Sequence, residues 1–293
     1  MRPLKTILVC LDLTEMDDFL IRHALHLCEQ VEDIEKIYFA HNIRFEDADD
    51  AQDLLDQLDK PLRAIVEDTL DEAIQTHFAT VVDPPAYEIL VREESSSPAA
   101  LAELADSHQA GLVVVGKKIA FKGSGMAVVK LLRILPAHTS LLLVPETSRP
   151  QIRNILAPVD FSKASKVATE MAAYLRRQTG AELHCQHVFS IPSFYFPSIM
   201  VNDLEPSMRQ EAQKRWREFA KGLHQVGAID LDCTFSFNSD TSISQTITDH
   251  ANMTHQDLIV VGSKGRGGLA AFVIGSVALQ LVQAELPIPL LVV

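Results

Sequence analysis

The chain has 293 residues, of which 47% are hydrophobic and 22% are charged, a composition typical of soluble globular proteins with two domains of about 150 residues. No apolar run approaches the roughly 20 residues that a membrane span needs, and Asp12 and Glu15 interrupt the early run that resembles a signal peptide. The net charge of −13 argues against a nucleic acid as partner.

The charge is unevenly distributed between the halves. Residues 1–150 hold 14 Lys and Arg against 26 Asp and Glu, a net charge of −12, whereas residues 151–293 hold 12 against 13, a net charge of −1. A polyphosphate is therefore repelled less by the second half. None of the four cysteines has CxxC spacing, which fits unpaired thiols and a cytoplasmic location.

Apolar runs and helical patterns alternate along the chain. In the first half, strands are predicted at 5–12, 35–43, 86–92, 111–116 and 139–144, and helices at 16–30, 54–80, 98–109 and 126–135. In the second half, strands are predicted at 153–160, 182–188, 231–237, 257–262 and 289–293, and helices at 164–179, 204–226, 242–253 and 269–284. Such continuous apolar strands favour parallel sheets with helices on both faces.

The sequence also repeats itself once. Four landmarks recur in the same order: KTILVCLD and RNILAPVD, FAHNI and CQHVF, LVVVGKK and LIVVGSK, and SLLLVP and PLLVV. The repeat predicts a duplicated domain, with the seam near residues 147–153.

The most informative stretch is LIVVGSKGRGGLAAFVIGSV, residues 258–277, which reads as a strand, a glycine-rich turn and a helix from about Leu269. Glycines allow the backbone to approach an anion closely, and helix N-termini attract phosphate. The spacing is Gly262, two residues, Gly265, nine residues, Gly275 and Ser276. It matches neither the P-loop nor the dinucleotide-binding motif.

This spacing resembles the ATP-binding motif Gly-x2-Gly-x9-Gly-(Ser/Thr) of the universal stress protein family, and the resemblance covers nearly all of the chain. It implies two tandem doubly wound α/β domains, each with a five-stranded parallel sheet in the order 3-2-1-4-5 and helices on both faces. Residues 1–148 would be a universal-stress-like domain with a degenerate nucleotide site, and residues 151–293 one with the ATP-binding motif. The resemblance further implies that the edge strands pair, making an intramolecular pseudo-dimer, with a homodimer left open.

The implied cofactor is ATP with Mg²⁺ or Mn²⁺, held by the second domain. Asp160, after the first strand of that domain, would contact the nucleotide or the metal, and the alternative is an N-cap of the next helix, which Ser162 also fits. Val188 would line the adenine, while His187 is better explained as a half-buried strand histidine. The predicted nucleotide-binding residues are Pro158, Asp160, Val188, Gly262, Lys264, Gly265, Arg266, Gly275, Ser276 and Val277.

The first half departs from the motif. Gly116 is retained, but Ile119 replaces Gly265, and Met126 and Ala127 replace the Gly–Ser pair. A β-branched residue blocks the close approach of a phosphate, so we expect the first half to have lost ATP. Binding of another anion by the first half remains an alternative, because residues 117–133 include several cations and no carboxylate. The cations are Lys117, Lys118, Lys122, Lys130 and Arg133.

The resemblance implies a nucleotide-dependent switch in stress adaptation that acts through an unknown protein partner. No general base is evident, so any ATP hydrolysis should be slow. The alternatives are a slow ATPase or phosphotransferase, an ATP-independent chaperone or scaffold that binds through the aromatic stretch 189–202, and a nucleotide enzyme on a related fold such as an electron-transfer flavoprotein.

Overall fold

The computed structural model describes residues 4–44, 59–118, 124–190, 201–223, 231–238, 241–263 and 274–293. The chain divides into two compact units, Arg2–Pro150 and Gln151–Val293. Within the described residues no helix is both long and apolar enough to cross a membrane.

The first unit alternates strands and helices. Its strands are β1 (Thr6–Cys10), β2 (Lys36–Ile43), β3 (Ala86–Glu93), β4 (Leu112–Lys117) and β5 (Ser140–Pro145). Its described helices are α1 (Met16–Gln30), α2 (Leu62–Phe78), α3 (Ser97–Ser107) and α4 (Ser124–Ile134). The strands are parallel in the order β3-β2-β1-β4-β5. Helices α1 and α2 pack together, as do α3 and α4.

The second unit repeats this plan. Its strands are β6 (Asn154–Pro158), β7 (Glu182–Ser190), β8 (Cys233–Asn238), β9 (Leu258–Val261) and β10 (Leu290–Val292). Its described helices are α5 (Lys163–Thr179), α6 (Val201–Lys221), α7 (Ile243–Met253) and α8 (Ser276–Gln283). The strands are parallel in the order β8-β7-β6-β9-β10. In each unit this is the predicted order 3-2-1-4-5, and the fold class is confirmed.

The central strands explain why the apolar runs fold this way. Ile7, Leu8 and Val9 in β1 are fully buried, as are Ile155 and Leu156 in β6. A strand that is apolar on both faces must be covered on both, and parallel strands joined by helices provide that cover. The four cysteines are free thiols.

The long helix predicted at 54–80 begins later, at Leu62. Residues 54–58 lie outside the described part of the chain, and residues 59–61 are not helical. Pro61 precedes the helix with an extended ψ of 135°. Since a proline disfavours helical backbone in the residue before it, the helix cannot readily extend across this position.

Candidate functional site

The candidate site lies in the second unit, where the strand order reverses. Strands β6 and β9 are neighbours, and the chain leaves β6 towards one side of the sheet and β9 towards the other. In open α/β sheets, ligands bind outside the carboxyl ends of the strands at such a point. Pro158 ends β6, and Gly262 follows β9 directly. The fold therefore places Asp160 and Gly262 at the carboxyl ends of two neighbouring strands, on the same side of the sheet.

Gly262 has a packing role that the structure shows directly. A Cβ atom at this position would lie 2.7 Å from both the carbonyl carbon and the carbonyl oxygen of Ala164, in the first turn of α5. Real Cβ contacts are not that short, and the neighbouring atoms are backbone. The glycine lets the end of β9 pack directly against the N-terminal turn of α5.

The two ends of the glycine motif are held together by main-chain hydrogen bonds. The Gly275 N–H donates to the Ser263 carbonyl oxygen at 2.7 Å, and the Ser263 N–H donates to the Val293 carbonyl oxygen at 2.7 Å. These bonds bring Gly262 and Ser263 beside Gly275 and Ser276, although 11 residues separate Ser263 from Gly275 along the chain. The two ends of the motif are thus held side by side.

The helix after the glycine turn begins later than predicted. The prediction started it at about Leu269. Residues 269–273 lie outside the described part of the chain, residues 274 and 275 are not helical, and helix α8 begins at Ser276. Gly275 is its N-cap, with an extended ψ of 143°, and its N–H donates to the Ser263 carbonyl oxygen. The first-turn N–H groups of a helix have no partner within the helix. The N-terminus available to an anion is therefore that of Ser276 and Val277.

Three predicted phosphate-binding residues, Lys264, Gly265 and Arg266, lie outside the described residues, as does the segment 191–200 of the aromatic stretch. Their roles stay predictions.

Asp160 is half-buried and shapes the turn that follows β6. Its Oδ1 accepts a hydrogen bond from the Ser162 N–H at 3.0 Å. The N-cap of α5 is Ser162, whose Oγ accepts from the Ser165 N–H at 3.1 Å. The alternative explanation of Asp160 as the helix cap is therefore wrong. The described residues contain no group of three or more His, Cys, Asp or Glu that could hold a metal by itself.

His187 and Val188 occupy different environments on β7. His187 is 7% exposed, and its Nδ1–H donates to the Val159 carbonyl oxygen at 2.8 Å. That pairing accounts for it as a buried strand histidine. Val188 is opposite Ser236 on β8, and it lies beyond Gln186, the residue opposite the last residue of β6. Val188 thus lies past the end of β6, on the side of the sheet where Asp160 lies.

Aromatic side chains beside the site were not predicted from the sequence. The Phe161 ring lies 4.3 Å from the His187 ring and 5.7 Å from the Phe219 ring, measured between centroids. The Arg215 guanidinium lies over the Phe161 ring at 4.7 Å. Phe161 has a φ of 65°, which is uncommon for a residue with a side chain and is found in strained functional turns. Nothing in the sequence indicates this conformation, because phenylalanine rarely adopts it.

Known proteins resemble this chain over its second half in sequence and over almost its whole length in fold. The universal stress protein family model matches residues 151–293. A universal stress protein from Archaeoglobus fulgidus DSM 4304 aligns with 99% of this chain and 96% of its own, with 17% identity and a TM-score of 0.61. A protein from Pseudomonas aeruginosa UCBPP-PA14 assigned to the same family aligns with 99% of this chain and 93% of its own, with 16% identity and a TM-score of 0.66.

The chain belongs to the universal stress protein family. The family model matches the second half, and the full-length structural matches show that the first half shares the fold. A universal stress protein in complex with cAMP is 18% identical and aligns with 48% of this chain and 96% of its own. Its TM-score is 0.37.

The first unit of this universal stress protein repeats the second in backbone detail. The His41 Nδ1–H donates to the Leu11 carbonyl oxygen at 2.9 Å, as His187 donates to Val159. Leu13 has a φ of 59°, matching that of Phe161. The turns after β1 and β6 thus share these two backbone features.

The turn after β1 is bound by a carboxylate from its own chain. Asp17, in the first turn of α1, accepts hydrogen bonds at 2.9 Å from the N–H groups of both Asp12 and Leu13. Ser165 holds the equivalent position in the second unit. In the first unit, an acidic side chain therefore occupies the turn amides that would otherwise be able to face an anion.

The Asp17 carboxyl should titrate well above an ordinary aspartate. Burial raises its pKa to about 6, outweighing the two amide hydrogen bonds, which lower it. A raised pKa means that this group stabilises the fold most below about pH 4, the ordinary aspartate value, and that this contribution is lost as the pH rises through about 6. Carbon-13 NMR should show one aspartate carboxyl with a midpoint near pH 6. The signal should disappear in Asp17→Asn, and its absence from the wild type would contradict the burial argument.

Proposed function

We propose that this universal stress protein binds ATP, with Mg²⁺ or Mn²⁺, in its second domain, residues 151–293, and acts as a nucleotide-dependent switch in stress adaptation. The observation that carries the proposal is that the two ends of the glycine motif are held side by side. The Gly275 N–H is bonded to Ser263 beside Gly262, at the strand-order reversal and on the edge where Asp160 lies. The motif spacing and the fold therefore favour the same place.

The phosphate-binding part of the proposal rests on main-chain groups. Helix α8 begins at Ser276, and its first-turn N–H groups and hydroxyl suit phosphate oxygens. Lys264 and Arg266 would neutralise the phosphate charge, and Gly265 would allow the backbone to approach. The net charge of −1 in the second half opposes a polyphosphate far less than the −12 of the first.

The adenine would lie at Val188 and the metal at Asp160. Val188 lies past the end of β6, where a flat base has backbone groups within reach. Mg²⁺ is commonly held by one or two carboxylates together with substrate phosphates, so a single carboxylate at Asp160 fits such an ion. Pro158 would line the same edge at the end of β6.

A switch of this kind acts through a protein partner, whose identity stays open, and it requires no rapid hydrolysis. A cytoplasmic location and the pairing of the two halves through their last strands, 140–144 and 289–293, stay proposals that rest on the family resemblance and the sequence.

Trp216 provides a direct test of nucleotide binding. It is the only tryptophan, and its ring lies 5.9 Å from the Phe219 ring, which lies 5.7 Å from the Phe161 ring. MgATP should change the fluorescence of Trp216 along a saturable curve. GMP serves as a control with one phosphate and a different base. A flat response to MgATP, together with no heat of binding in calorimetry, would refute the proposal.

Asp160→Asn should separate the metal from the nucleotide. With Mg²⁺ present, we expect the ATP affinity to fall about tenfold, because a carboxylate ligand is lost. With a chelator present, the affinity should stay equal or rise, because a negative charge beside the phosphates is removed. The matched control is Asp12→Asn in the first half, which should change neither affinity. Equal losses with and without Mg²⁺ would contradict a metal role for Asp160.

A further inference from the structure

The first unit contains a cavity of about 440 Å³ at the carboxyl ends of its strands. Ligand pockets for small molecules have volumes of roughly 300–1,000 Å³ and are mostly apolar, with a few polar groups. The cavity is formed by β1, β2, β4 and helices α1, α3 and α4, and its lining residues are Cys10, Leu11, Asp12, Met16, Leu20, His41, Asn42, Ser97, Pro98, Leu101, Val115, Gly116, Lys118, Ala127, Val128 and Leu131. This is the edge that corresponds to the proposed ATP site of the second unit.

The deeper part of the cavity is apolar. Leu20, Leu131 and Met16 contribute to the lining while being only 1%, 3% and 4% exposed. The nearby Cys10 thiol adds no charge, because burial raises its pKa to about 12. A ligand that enters this part must leave water for hydrocarbon, which favours apolar groups and penalises charged ones.

The polar lining residues are largely engaged with one another. The Asn42 Nδ2 donates to the Glu94 carbonyl oxygen at 2.8 Å and to the Ser97 Oγ at 3.0 Å. The Lys118 Nζ lies 4.0 Å from the Asp12 Oδ2. Among the described lining residues, the mouth carries one cation, Lys118, and one carboxylate, Asp12, so it has no strong preference for either sign of ligand charge.

Two further features oppose a polyphosphate here. The Asp17 carboxylate already accepts from the N–H groups of Asp12 and Leu13. The Met16 side chain packs against Gly116, where an added Cβ would overlap the Met16 Cγ. In the second unit the residue against the equivalent glycine is Ala164. A large apolar side chain thus covers the glycine that remains from the motif.

We propose that this cavity is a second binding site, for an uncharged, mainly apolar small molecule whose polar end lies at the mouth formed by Asp12, Lys118 and Asn42. The site is independent of the proposed ATP site, because all of its lining residues belong to the first unit. The two halves of one duplicated fold would then recognise different chemistries.

The uncharged dye 1-N-phenylnaphthylamine, which fluoresces strongly in apolar surroundings, is a suitable probe on the full chain. Ala127 is exposed and lines the cavity, so Ala127→Phe should fill it from the mouth without disturbing the core. The matched control is Met126→Phe on the same helix, since Met126 is 55% exposed and is not part of the lining. We expect saturable binding by the wild type and by Met126→Phe, and a loss of at least about tenfold in affinity in Ala127→Phe.

Three outcomes would overturn the proposal: no saturable binding to the wild type, equal affinity in the Ala127→Phe and Met126→Phe variants, or displacement of the dye by ATP in a Gly265→Ile background. Circular dichroism checks that the variants are folded. If Ala127→Phe is unfolded, Leu101→Phe fills the cavity from α3 and decides in its place. A failure of the ATP proposal leaves the dye experiment unchanged, so the two proposals fail separately.

Discussion

Gly265→Ile should abolish ATP binding by the full chain while leaving the protein folded. Isoleucine is the residue that the first half carries at the corresponding position, Ile119. A β-branched side chain there disfavours the backbone conformations that glycine permits, and it keeps the main chain away from a phosphate. We expect the affinity measured by calorimetry to fall by at least about 100-fold, or roughly 2.7 kcal/mol.

The matched control is Gly267→Ile, two residues further along the sequence, at a glycine outside the motif. If the motif spacing matters, Gly267→Ile should retain most of the affinity. Full ATP binding by Gly265→Ile would refute the assignment of the motif. Equal losses in both variants would show that this glycine-rich segment tolerates no bulky residue and that Gly265 has no special role in ATP binding.

Gly262→Ala should destabilise the second unit by about 1–3 kcal/mol, the usual range for overpacking a tight contact. The new methyl group would lie 2.7 Å from the Ala164 backbone, so the first turn of α5 or the end of β9 must move. Trp216 is 8% exposed and is the only tryptophan, so its fluorescence during urea unfolding reports the second unit selectively. Because the displaced elements border the proposed ATP site, the ATP affinity should fall as well.

Gly116→Ala is the matched control in the first unit. The methyl group there would overlap the Met16 Cγ, but this contact lies within the first unit, whereas Trp216 lies in the second. The urea midpoint reported by Trp216 should therefore stay at the wild-type value. An unchanged midpoint in Gly262→Ala would show that the contact with Ala164 is not as tight as its geometry indicates.

Much of the fold follows from the sequence, because the physics involved is local. Runs such as ILVCL and LIVV are too apolar for a strand that exposes one face to solvent. The helical patterns between these runs therefore indicate a parallel sheet with helices on both faces. The internal repeat then predicts the same sheet twice. Strand order came from the family resemblance, and both units confirm it.

Two predicted helix starts, those of α2 and α8, differ from the structure, one beside a proline and one beside a tertiary hydrogen bond. The apolar run from Leu269 looks helical, but Gly275 is extended with its N–H bonded to Ser263, and the described helix begins at Ser276. Pro61 similarly sets the start of α2 at Leu62. Helix propensity and hydrophobic periodicity do not take account of a hydrogen bond between distant residues, such as that from Gly275 to Ser263.

The candidate site was predicted in outline only. The glycine motif and Asp160 are readable from spacing and position, whereas the left-handed Phe161 and its contacts with His187 and Arg215 depend on the folded turn. In the first half, the sequence shows that motif residues are missing. It does not show that Asp17 occupies the turn amides or that a cavity lies beside them, since both depend on how α1 packs on the sheet.

The stoichiometry of ATP binding tests the central claim most directly. Calorimetric titration of the full chain with ATP and Mg²⁺ should give one site per chain, which Gly265→Ile removes and Ala127→Phe leaves unchanged. A value of two sites, or a single site that survives Gly265→Ile, would contradict the claim that the second half alone binds the nucleotide.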